Sequence, residues 1–468
     1  MKQPWSEQPT VAVVGGGLAG LAAACALSTA GFRVTLLERR PYLGGRASSY
    51  QHPGTSEVVD NCQHVLLGCC TNLIDFYRRT GVEDRIRWYD RLTFIEPGGR
   101  ASVIAPSAIP APLHSAPAFL KAACLSLSDK LAIARAMAAL APLTPRDKGC
   151  SFLEWLRRHG QTSQAIERFW KTILISALNE ELDHVSVSSA AQVVRESFLK
   201  SPLAGHMGVP TVPLSTLYSA AGEYISKHGG EVRLRASVEH FRAQPSQVSV
   251  ADSQSELAFD YLVLAVPFEA IGRILPDTEV AEPLRRALGQ FKTSPITGIH
   301  IWFDRQVTDL EHAVLLDRTI QWMFHKSRIQ GRNGSGAGSY IELVVSASNS
   351  LVEKPRQEII DLALAEFNEF FPAAKSATVL KATVIKEVHA TYAPRPGIDA
   401  YRPHVATAWP RVFLAGDWTA TGWPATMEGA VRSGYIAAEA VARVAGLKDA
   451  SFLVPDLPAT GFMRLFPS

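Results

Sequence analysis

The stretch VAVVGGGLAGLAAACALSTAGFRVTLLERR, residues 11–40, decides the fold. It opens with the apolar run Val11–Val14, which is typical of a parallel strand buried on both faces. A Gly-x-Gly-x-x-Gly pattern follows at once, at Gly15, Gly17 and Gly20, and an apolar helical pattern continues from the last glycine. The order strand, glycine turn, helix predicts a dinucleotide-binding unit of an α/β protein.

Each part of this turn has a physical purpose. Gly15 allows the tight turn, Gly17 removes a side chain where a pyrophosphate must approach the backbone, and Gly20 lets the helix pack close to the strand. The helix begins near Leu18 and Ala19, and its first N–H groups attract phosphate charge. These five residues are therefore the first predicted cofactor contacts.

A second strand is predicted over residues 32–37, and the acidic Glu38 ends it. Glu38 lies 18 residues after Gly20, where a carboxylate accepts hydrogen bonds from ribose hydroxyls. We take Arg39 beside it as a further cofactor contact. Two glycines and an arginine follow, a combination that permits close approach to a phosphate and pairs with it: Gly44, Gly45 and Arg46.

The far end of the chain carries a second pattern, RVFLAGDWTATGWPATMEGAVRSGYIAAEAVARV, residues 411–444. Residues 412–415 are predicted to form a strand that Gly416 and Asp417 end. A helix is predicted from Thr426 onward, because small residues recur there at helical spacing. The N-terminus of this helix favours negative charge.

Both patterns resemble the FAD-dependent amine oxidase and phytoene desaturase superfamily. The resemblance implies that the protein binds FAD and that one FAD-binding segment packs a valine on the adenine. It implies that Asp417 holds the ribityl chain and that the start of the last helix points its N–H groups at the flavin. The cofactor contacts implied in this way are Gly44, Gly45, Arg46, Val238, Gly416, Asp417, Met427 and Glu428.

The domain organisation follows from where these motifs lie. A third segment, residues 259–275, contains a predicted strand at 261–266, and residues 229–241 read as a strand or hairpin. We expect an α/β fold, with a Rossmann-type FAD-binding domain (GR2-like flavoprotein) and a second, mixed α+β substrate domain. The FAD-binding domain is predicted to comprise residues 8–104, 205–270 and 405–446, and the substrate domain residues 105–204 and 271–404.

Two further stretches resemble the hydroxysqualene dehydroxylases, one branch of that superfamily. They are the DxxQH run at Asp60, Gln63 and His64, followed by Gly68, and the run from Phe169 to Asn179. The resemblance implies that reduced FAD delivers hydride to the carbon bearing a hydroxyl and that water leaves. An acid should then lie within reach of the leaving oxygen. The candidate catalytic residues are Asp60, Gln63, His64 and Asn179.

Alternatives stay open at these residues. His64 is equally well a hydrogen-bonded structural histidine, and Asn179 a helix C-cap. A carotenoid-type desaturase has the same fold with the hydride running the other way. An amine oxidase needs two aromatic rings beside the flavin, for which Trp418 and Trp423 are candidates. A non-catalytic FAD-binding module is disfavoured by the completeness of the flavin motifs.

The amino-acid composition limits the classes of partner that the protein is expected to bind. The 468 residues include 47 basic and 44 acidic ones, and no basic run suggests nucleic acid. Six cysteines without a CxxC pair indicate reduced cytoplasmic thiols and no metal site. We expect no secretory signal, because glycines interrupt the apolar segment at residues 11–30, and no run of about 20 apolar residues occurs. Attachment to the inner face of a membrane stays open, as do the electron donor and the oligomeric state.

The stretch over residues 105–143 has few charges and many apolar residues. We interpret it as an interfacial patch or a lid over a tunnel for an apolar polyprenyl substrate, with ordinary packing in the substrate domain as the alternative. The glycine-rich run at residues 331–340 lacks a strand–turn–helix order, and we expect a loop or hairpin tip there.

Overall fold

A computed structural model gives the structure of residues 8–52, 57–141, 149–252, 255–331 and 338–466. Its strands are β1 (Thr10–Val14), β2 (Arg33–Glu38), β3 (Ser49–Gln51), β4 (Val58–Asp60), β5 (Leu66–Leu67), β6 (Ile86–Tyr89), β7 (Leu92–Ile95), β8 (Ala101–Ile104), β9 (Met207–Pro210), β10 (Glu231–Leu234), β11 (His240–Ala243), β12 (Val248–Ala251), β13 (Glu256–Phe259), β14 (Tyr261–Leu264), β15 (Thr293–Phe303), β16 (His312–Leu315), β17 (Trp322–His325), β18 (Tyr340–Ser346), β19 (Val379–Tyr392) and β20 (Val412–Leu414). Its α-helices are α1 (Leu18–Thr29), α2 (Thr71–Arg79), α3 (Ala116–Lys121), α4 (Leu127–Leu140), α5 (Phe152–Arg158), α6 (Ser163–Ala165), α7 (Thr172–Leu178), α8 (Val187–Val194), α9 (Leu214–Lys227), α10 (Phe268–Ile274), α11 (Glu282–Leu288), α12 (Lys326–Ile329), α13 (Asn349–Val352), α14 (Arg356–Phe370) and α15 (Met427–Val444).

A parallel sheet holds the predicted dinucleotide-binding unit. Its strand order is β10-β2-β1-β14-β20, and each neighbouring pair is parallel. The sheet therefore collects strands from widely separated parts of the chain. β1 is buried because α1 and α15 pack against one face of the sheet, while a second apolar cluster covers the other.

The N-terminal and C-terminal motifs meet through two helices. Gly434 of α15 lies against α1, where an added Cβ would be 2.2 Å from the carbonyl oxygen of Ala19. Only a residue without a side chain lets the two backbones approach so closely. This contact places the middle of α15 directly against the first turns of α1.

A seven-stranded sheet forms the second domain, in the order β19-β15-β18-β17-β16-β7-β8. Its longest strands are β15 and β19, which pair antiparallel. β7 and β8 cover residues 92–104, which the sequence analysis places in the FAD-binding domain, and they pair with this second sheet instead. The predicted domain boundary at residue 104 is therefore wrong. An antiparallel hairpin at the end of a long segment can pair with either sheet, and its strand partners decide which domain it belongs to.

The connecting segments are helical. Residues Ile166–Lys171 form a π-helix that leads into α7. The apolar stretch at 105–143 contains α3 and α4, and its last two residues lie outside the described ranges. Residues 332–337 of the glycine-rich run also lie outside them. No described helix combines the length and the apolar character needed to cross a membrane.

Candidate functional site: an FAD cradle at the domain boundary

Two glycine turns contact each other at the carboxyl ends of β1 and β2. The N–H of Gly44 donates to the carbonyl oxygen of Gly16 at 2.8 Å, and a Cβ on Gly45 would be 2.9 Å from the Cα of Gly17. Gly15 has φ of +111°, a conformation that favours glycine. We call these turns, residues 15–20 and 44–46, the glycine cradle.

The glycine cradle fits a dinucleotide. Gly17 is the N-cap of α1, and no side chain caps the helix there. The first N–H groups of the helix, near Leu18 and Ala19, therefore have no side-chain partner. A Cβ on Gly17 would meet nothing closer than the Cα of Gly45 at 3.8 Å, so the backbone is open to an approaching pyrophosphate.

Glu38 lies at the end of β2, where a ribose is held in this fold. Its carboxylate accepts hydrogen bonds from the N–H groups of Gly16 at 2.6 Å and Arg40 at 2.7 Å. Arg39 is exposed, whereas Arg40 Nη1 donates to the carbonyl oxygen of Gly45 at 2.8 Å. Sequence reasoning thus missed Arg40, which lies two residues beyond the end of β2 and belongs to no motif.

An ion pair at this cradle joins the N-terminal glycine motif to the C-terminal motif. Arg46 Nη2 pairs with Asp417, and Arg46 Nη1 donates to the carbonyl oxygen of Ala390 on β19 at 3.0 Å. Burial alone would lower the pKa of Arg46, but Asp417, with Glu269 and Glu387 beyond it, raises the pKa. Arg46 is therefore a permanent cation between the FAD-binding domain and the second sheet.

The C-terminal motif is held from inside the domain. The N–H of Gly416 donates to Ser433 Oγ at 2.8 Å, and Thr426 caps α15 by accepting from the N–H of Gly429 at 3.0 Å. Met427 opens the helix, where its Sδ lies 3.7 Å from the hydroxyl of Tyr218. The backbone at the start of α15 is thus fixed for the predicted flavin contact.

The Glu428 side chain does not face the cradle. Its carboxylate is fully buried and accepts from the N–H groups of Asn72 and Leu73, at 3.2 and 2.8 Å, and from Arg432 Nε at 2.7 Å. It therefore ties α15 to the first turn of α2. The predicted contact of Glu428 with the cofactor is restricted to its backbone N–H.

Val238 follows β10 and is half-buried. It packs against the apolar cluster that includes Val14 and Leu37, the strand ends on either side of the glycine turn. Its predicted contact with the adenine stays a prediction.

The DxxQH run begins at Asp60, the last residue of β4 in the pair formed by β3 and β4. Asp60 is buried, and its carboxylate accepts from Ser49 Oγ at 2.6 Å, from the N–H of Leu214 at 3.0 Å and from Lys326 Nζ at 2.8 Å. Burial would raise the pKa of Asp60, but Lys326 and the other donors lower it below its ordinary value. Asp60 is therefore ionised at neutral pH, which contradicts its predicted role as the acid.

Gln63 and His64 bond to their own loop. Gln63 Oε1 accepts from Lys326 Nζ at 2.7 Å, and its Nε2 donates to the carbonyl oxygen of His64 at 3.0 Å. His64 Nδ1 lies 2.8 Å from the carbonyl oxygen of Cys62, which assigns the ring proton to Nδ1. Burial lowers the pKa of His64, so at neutral pH the imidazole is uncharged and its Nε2 carries a lone pair.

Asn179 has the left-handed conformation of a helix C-cap, with φ of 52° at the end of α7. Its Nδ2 donates to the carbonyl oxygen of Ser294 at 3.0 Å and to Thr391 Oγ1 at 2.9 Å, and its Oδ1 accepts from the N–H of Ala347 at 2.7 Å. The amide therefore ties α7 to the second sheet. These three bonds leave it poorly placed for the predicted role in catalysis.

The two candidate cage tryptophans lie apart. Trp418 is 1% exposed, and its indole N–H donates to the carbonyl oxygen of Val266 at 3.1 Å. Trp423 belongs to another apolar cluster, with Cys69 and Ala204. Because both rings are buried in separate clusters, they do not form the walls of one open cage.

Comparison with solved structures defines the class of fold. An oxidoreductase from Methanosarcina mazei is similar at a TM-score of 0.71 and 18% identity, covering 91% of this chain and 98% of that one. Putrescine oxidase is similar at a TM-score of 0.70 and 17% identity, covering 94% and 99%. The protein therefore has the α/β fold of the FAD-dependent oxidoreductases.

The family follows from the sequence. Residues 18–442 match the model of the flavin containing amine oxidoreductase family, and the chain belongs to this family. It is 26% identical to 15-cis-phytoene desaturase of Synechococcus elongatus, over 92% of this chain and 95% of the relative. It is 25% identical to the probable zeta-carotene desaturase of the same organism, over 92% and 98%. The protein is an FAD-dependent oxidoreductase.

Proposed function

We propose that the protein reduces hydroxysqualene to squalene, with loss of the hydroxyl group as water, at a step that supplies hopanoid or sterol synthesis. Bound FAD, in its reduced form, supplies the hydride. One proton must accompany the hydride to convert the leaving hydroxyl into water.

The apolar surface of the second domain carries this proposal. Leu113, Leu120, Leu127 and Leu131, in and around α3 and α4, are 51 to 67% exposed. Phe462 lies beside them, since its N–H donates to the carbonyl oxygen of Ala111 at 2.8 Å. Scattered apolar residues are normal on a surface, but a group of exposed leucines in and just before two successive helices suits contact with lipid or with a lipid-borne substrate.

The relatives support an apolar substrate as well. They are named for the desaturation of phytoene and zeta-carotene, and both names denote hydrocarbons. The separate burial of Trp418 and Trp423 weighs against the amine oxidase alternative, because no cage is formed by that pair. The resemblance at residues 60–68 and 169–179 supports the hydroxysqualene dehydroxylase branch.

The residues at the cradle would bind and orient the cofactor, and they would not take part in the reaction themselves. The glycine cradle and Glu38 hold the cofactor, and Arg46 fixes the cradle to β19. Asp60 is ionised and fully bonded, so the proton must come from another group. The uncharged His64 has its Nδ1 proton bonded to the Cys62 carbonyl oxygen and does not supply it. Glu387 lies near this point, with its Oε2 3.5 Å from Asn61 Nδ2, and is the candidate.

A desaturase is the second candidate. One observation favours it besides the names of the relatives. His64 is uncharged with a lone pair on Nε2, and such a group accepts a proton more readily than it donates one. Desaturation would require a proton acceptor and oxidised FAD, the reverse of the proposed reduction.

An anaerobic experiment separates the two. Purified holoenzyme is photoreduced and mixed with hydroxysqualene in detergent, and the flavin spectrum and the products are followed together. Reoxidation of the flavin with formation of squalene supports the proposal. If the reduced flavin is inert, the proposal fails, and oxidised enzyme is then tested with phytoene and with amines, where formation of hydrogen peroxide would indicate an oxidase.

A further inference from the structure

Three ionisable side chains meet under the 60–64 loop without access to solvent. Lys326 opens α12 in the second domain, and its Nζ lies 2.8 Å from Asp60 Oδ2 and 3.4 Å from Glu342 Oε2 on β18. None of the three side chains is more than 2% exposed. We call this group the buried lock, because it joins the loop that carries His64 to the second sheet.

The charges of the buried lock do not balance. One ammonium faces two carboxylates, and an excess negative charge is costly to bury. Asp60 receives hydrogen bonds from Ser49, Leu214 and Lys326. Among the described residues, neither oxygen of Glu342 accepts a well-aligned hydrogen bond, and Lys326 Nζ approaches it only to 3.4 Å. Of the two carboxyl groups, Glu342 is therefore the one that takes up a proton as the pH falls. Burial raises the pKa of Glu342 to about 7, although Lys326 opposes the rise.

The other groups around Glu342 do not titrate near neutral pH. His300 lies directly across from it on β15, and burial, with Lys326 nearby, lowers the pKa of His300 to about 3. Burial and the charge of Glu342 raise the pKa of the Cys62 thiol well above its ordinary value. His300 and Cys62 are thus uncharged, so a change near pH 7 in this layer belongs to Glu342.

We propose that Lys326 and Glu342 are positioning residues, which hold the 60–64 loop and the His64 imidazole against the second sheet only while Glu342 carries a proton. Once ionised, Glu342 competes with Asp60 and Gln63 for the single ammonium group. The bond from Lys326 to Gln63 is then weakened, and Gln63 is the residue whose amide holds the His64 carbonyl. The effect on catalysis rests on the proposed function, whereas the effect on stability does not.

The first test is the melting temperature of the holoenzyme between pH 5 and pH 8. The folded-state pKa of Glu342 is raised, so its contribution to stability is complete below the ordinary pKa of a glutamate and is lost as the pH rises to about 7. Glu342→Gln keeps a neutral side chain and lacks this loss. We expect its melting temperature, relative to the wild type, to rise by about 5 °C between pH 5 and pH 8.

A matched control is Glu366→Gln. Glu366 is also a buried carboxylate of the second domain, but its bonds within the described residues come from the N–H groups of Thr319 and Ile320, at 3.2 and 2.9 Å. Its substitution should shift the melting temperature by the same amount at every pH. The proposal is overturned if Glu342→Gln behaves like this control, with a pH-independent difference from the wild type.

The second test is the rate at which hydroxysqualene reoxidises the photoreduced holoenzyme. The wild-type rate should be roughly tenfold lower at pH 8 than at pH 6, as the protonated fraction of Glu342 falls, while Glu342→Gln should show equal rates. A tenfold loss in both enzymes overturns the positioning role. If hydroxysqualene reoxidises neither enzyme, the proposed function fails, and the melting temperatures still decide whether the lock exists.

Discussion

The glycine cradle and the buried lock are joined by the paired strands β3 and β4, yet different interactions form them. The cradle ends at Arg46, and the lock begins at Asp60, with β3 and β4 pairing between them. The cradle is made of backbone that approaches other backbone. The lock is made of charged side chains held in a dry interior. The cradle therefore has no room for a side chain at Gly15 or Gly20, whereas the lock loses stability when a charge partner is removed.

The largest effect is expected from adding one methyl group to the cradle. In Gly20→Ala the new Cβ would lie 1.9 Å from the carbonyl oxygen of Gly15, so the turn must shift. We expect a loss of about 3 kcal/mol or more in the free energy of unfolding, together with loss of bound FAD. Denaturant unfolding and the flavin absorbance of the purified protein measure both.

Gly272→Ala is the control for this change. Gly272 lies in α10, and a Cβ there would have nothing within 4 Å. Alanine should stabilise the helix by up to about 1 kcal/mol and leave FAD content unchanged. Equal behaviour of the two variants would show that close backbone approach at Gly20 is not what shapes the cradle.

Removing the cation from the lock comes next. Lys326→Met leaves Asp60 and Glu342 buried without a counter-charge, which costs about 3 to 5 kcal/mol when the pair is fully desolvated. The loss is partly offset, because the protonated Glu342 needs no cation. We therefore expect about 3 kcal/mol by denaturant unfolding at pH 7, with FAD still bound.

Lys200→Met provides the comparison for that substitution. Lys200 is also buried, but it pairs at 2.7 Å with Glu196, four residues earlier in the chain and far from the 60–64 loop in sequence. Both variants should lose stability, but only Lys326→Met should alter the pH dependence of flavin reoxidation. A change of that pH dependence in Lys200→Met would argue that it reports general destabilisation.

A smaller effect distinguishes two adjacent arginines. Arg40→Ala removes the bond to the carbonyl oxygen of Gly45 and should weaken FAD binding about tenfold, whereas the exposed Arg39→Ala should leave it unchanged. Titration of the apoprotein with FAD, followed by flavin fluorescence, measures both constants. The reverse ranking would restore Arg39 as the cofactor contact.

The smallest effect on the fold is expected at the apolar surface. Leu127→Glu combined with Leu131→Glu should change the free energy of unfolding by less than about 0.5 kcal/mol, since both side chains are exposed. It should abolish flotation with liposomes if this surface contacts a membrane. Leu380→Glu, at a leucine of β19 that is also exposed, should float like the wild type. Unchanged flotation of the double variant would refute the proposed membrane contact.

Sequence reasoning reached the cradle but not the lock. One short stretch contains the cradle residues Gly15, Gly17, Gly20 and Glu38. Their spacing in the sequence is enough to predict the geometry of the turn. Lys326 is separated from Asp60 by 266 positions and lies in no motif. Asp60 therefore looked like a free acid in the sequence, and only its distant partner shows that it is ionised.

The sequence by itself determined the strand–turn–helix unit, the family and the cofactor, because the close approach of backbone to phosphate demands glycines at fixed spacing. Tertiary structure alone decided which sheet β7 and β8 join, where the Glu428 carboxylate points, and which of the DxxQH groups holds a proton. Each of these depends on burial and on partners far away in the chain. The protonation state of a carboxyl group depends on the residues that surround it in space. The geometry of a glycine turn, by contrast, depends on neighbours in the sequence.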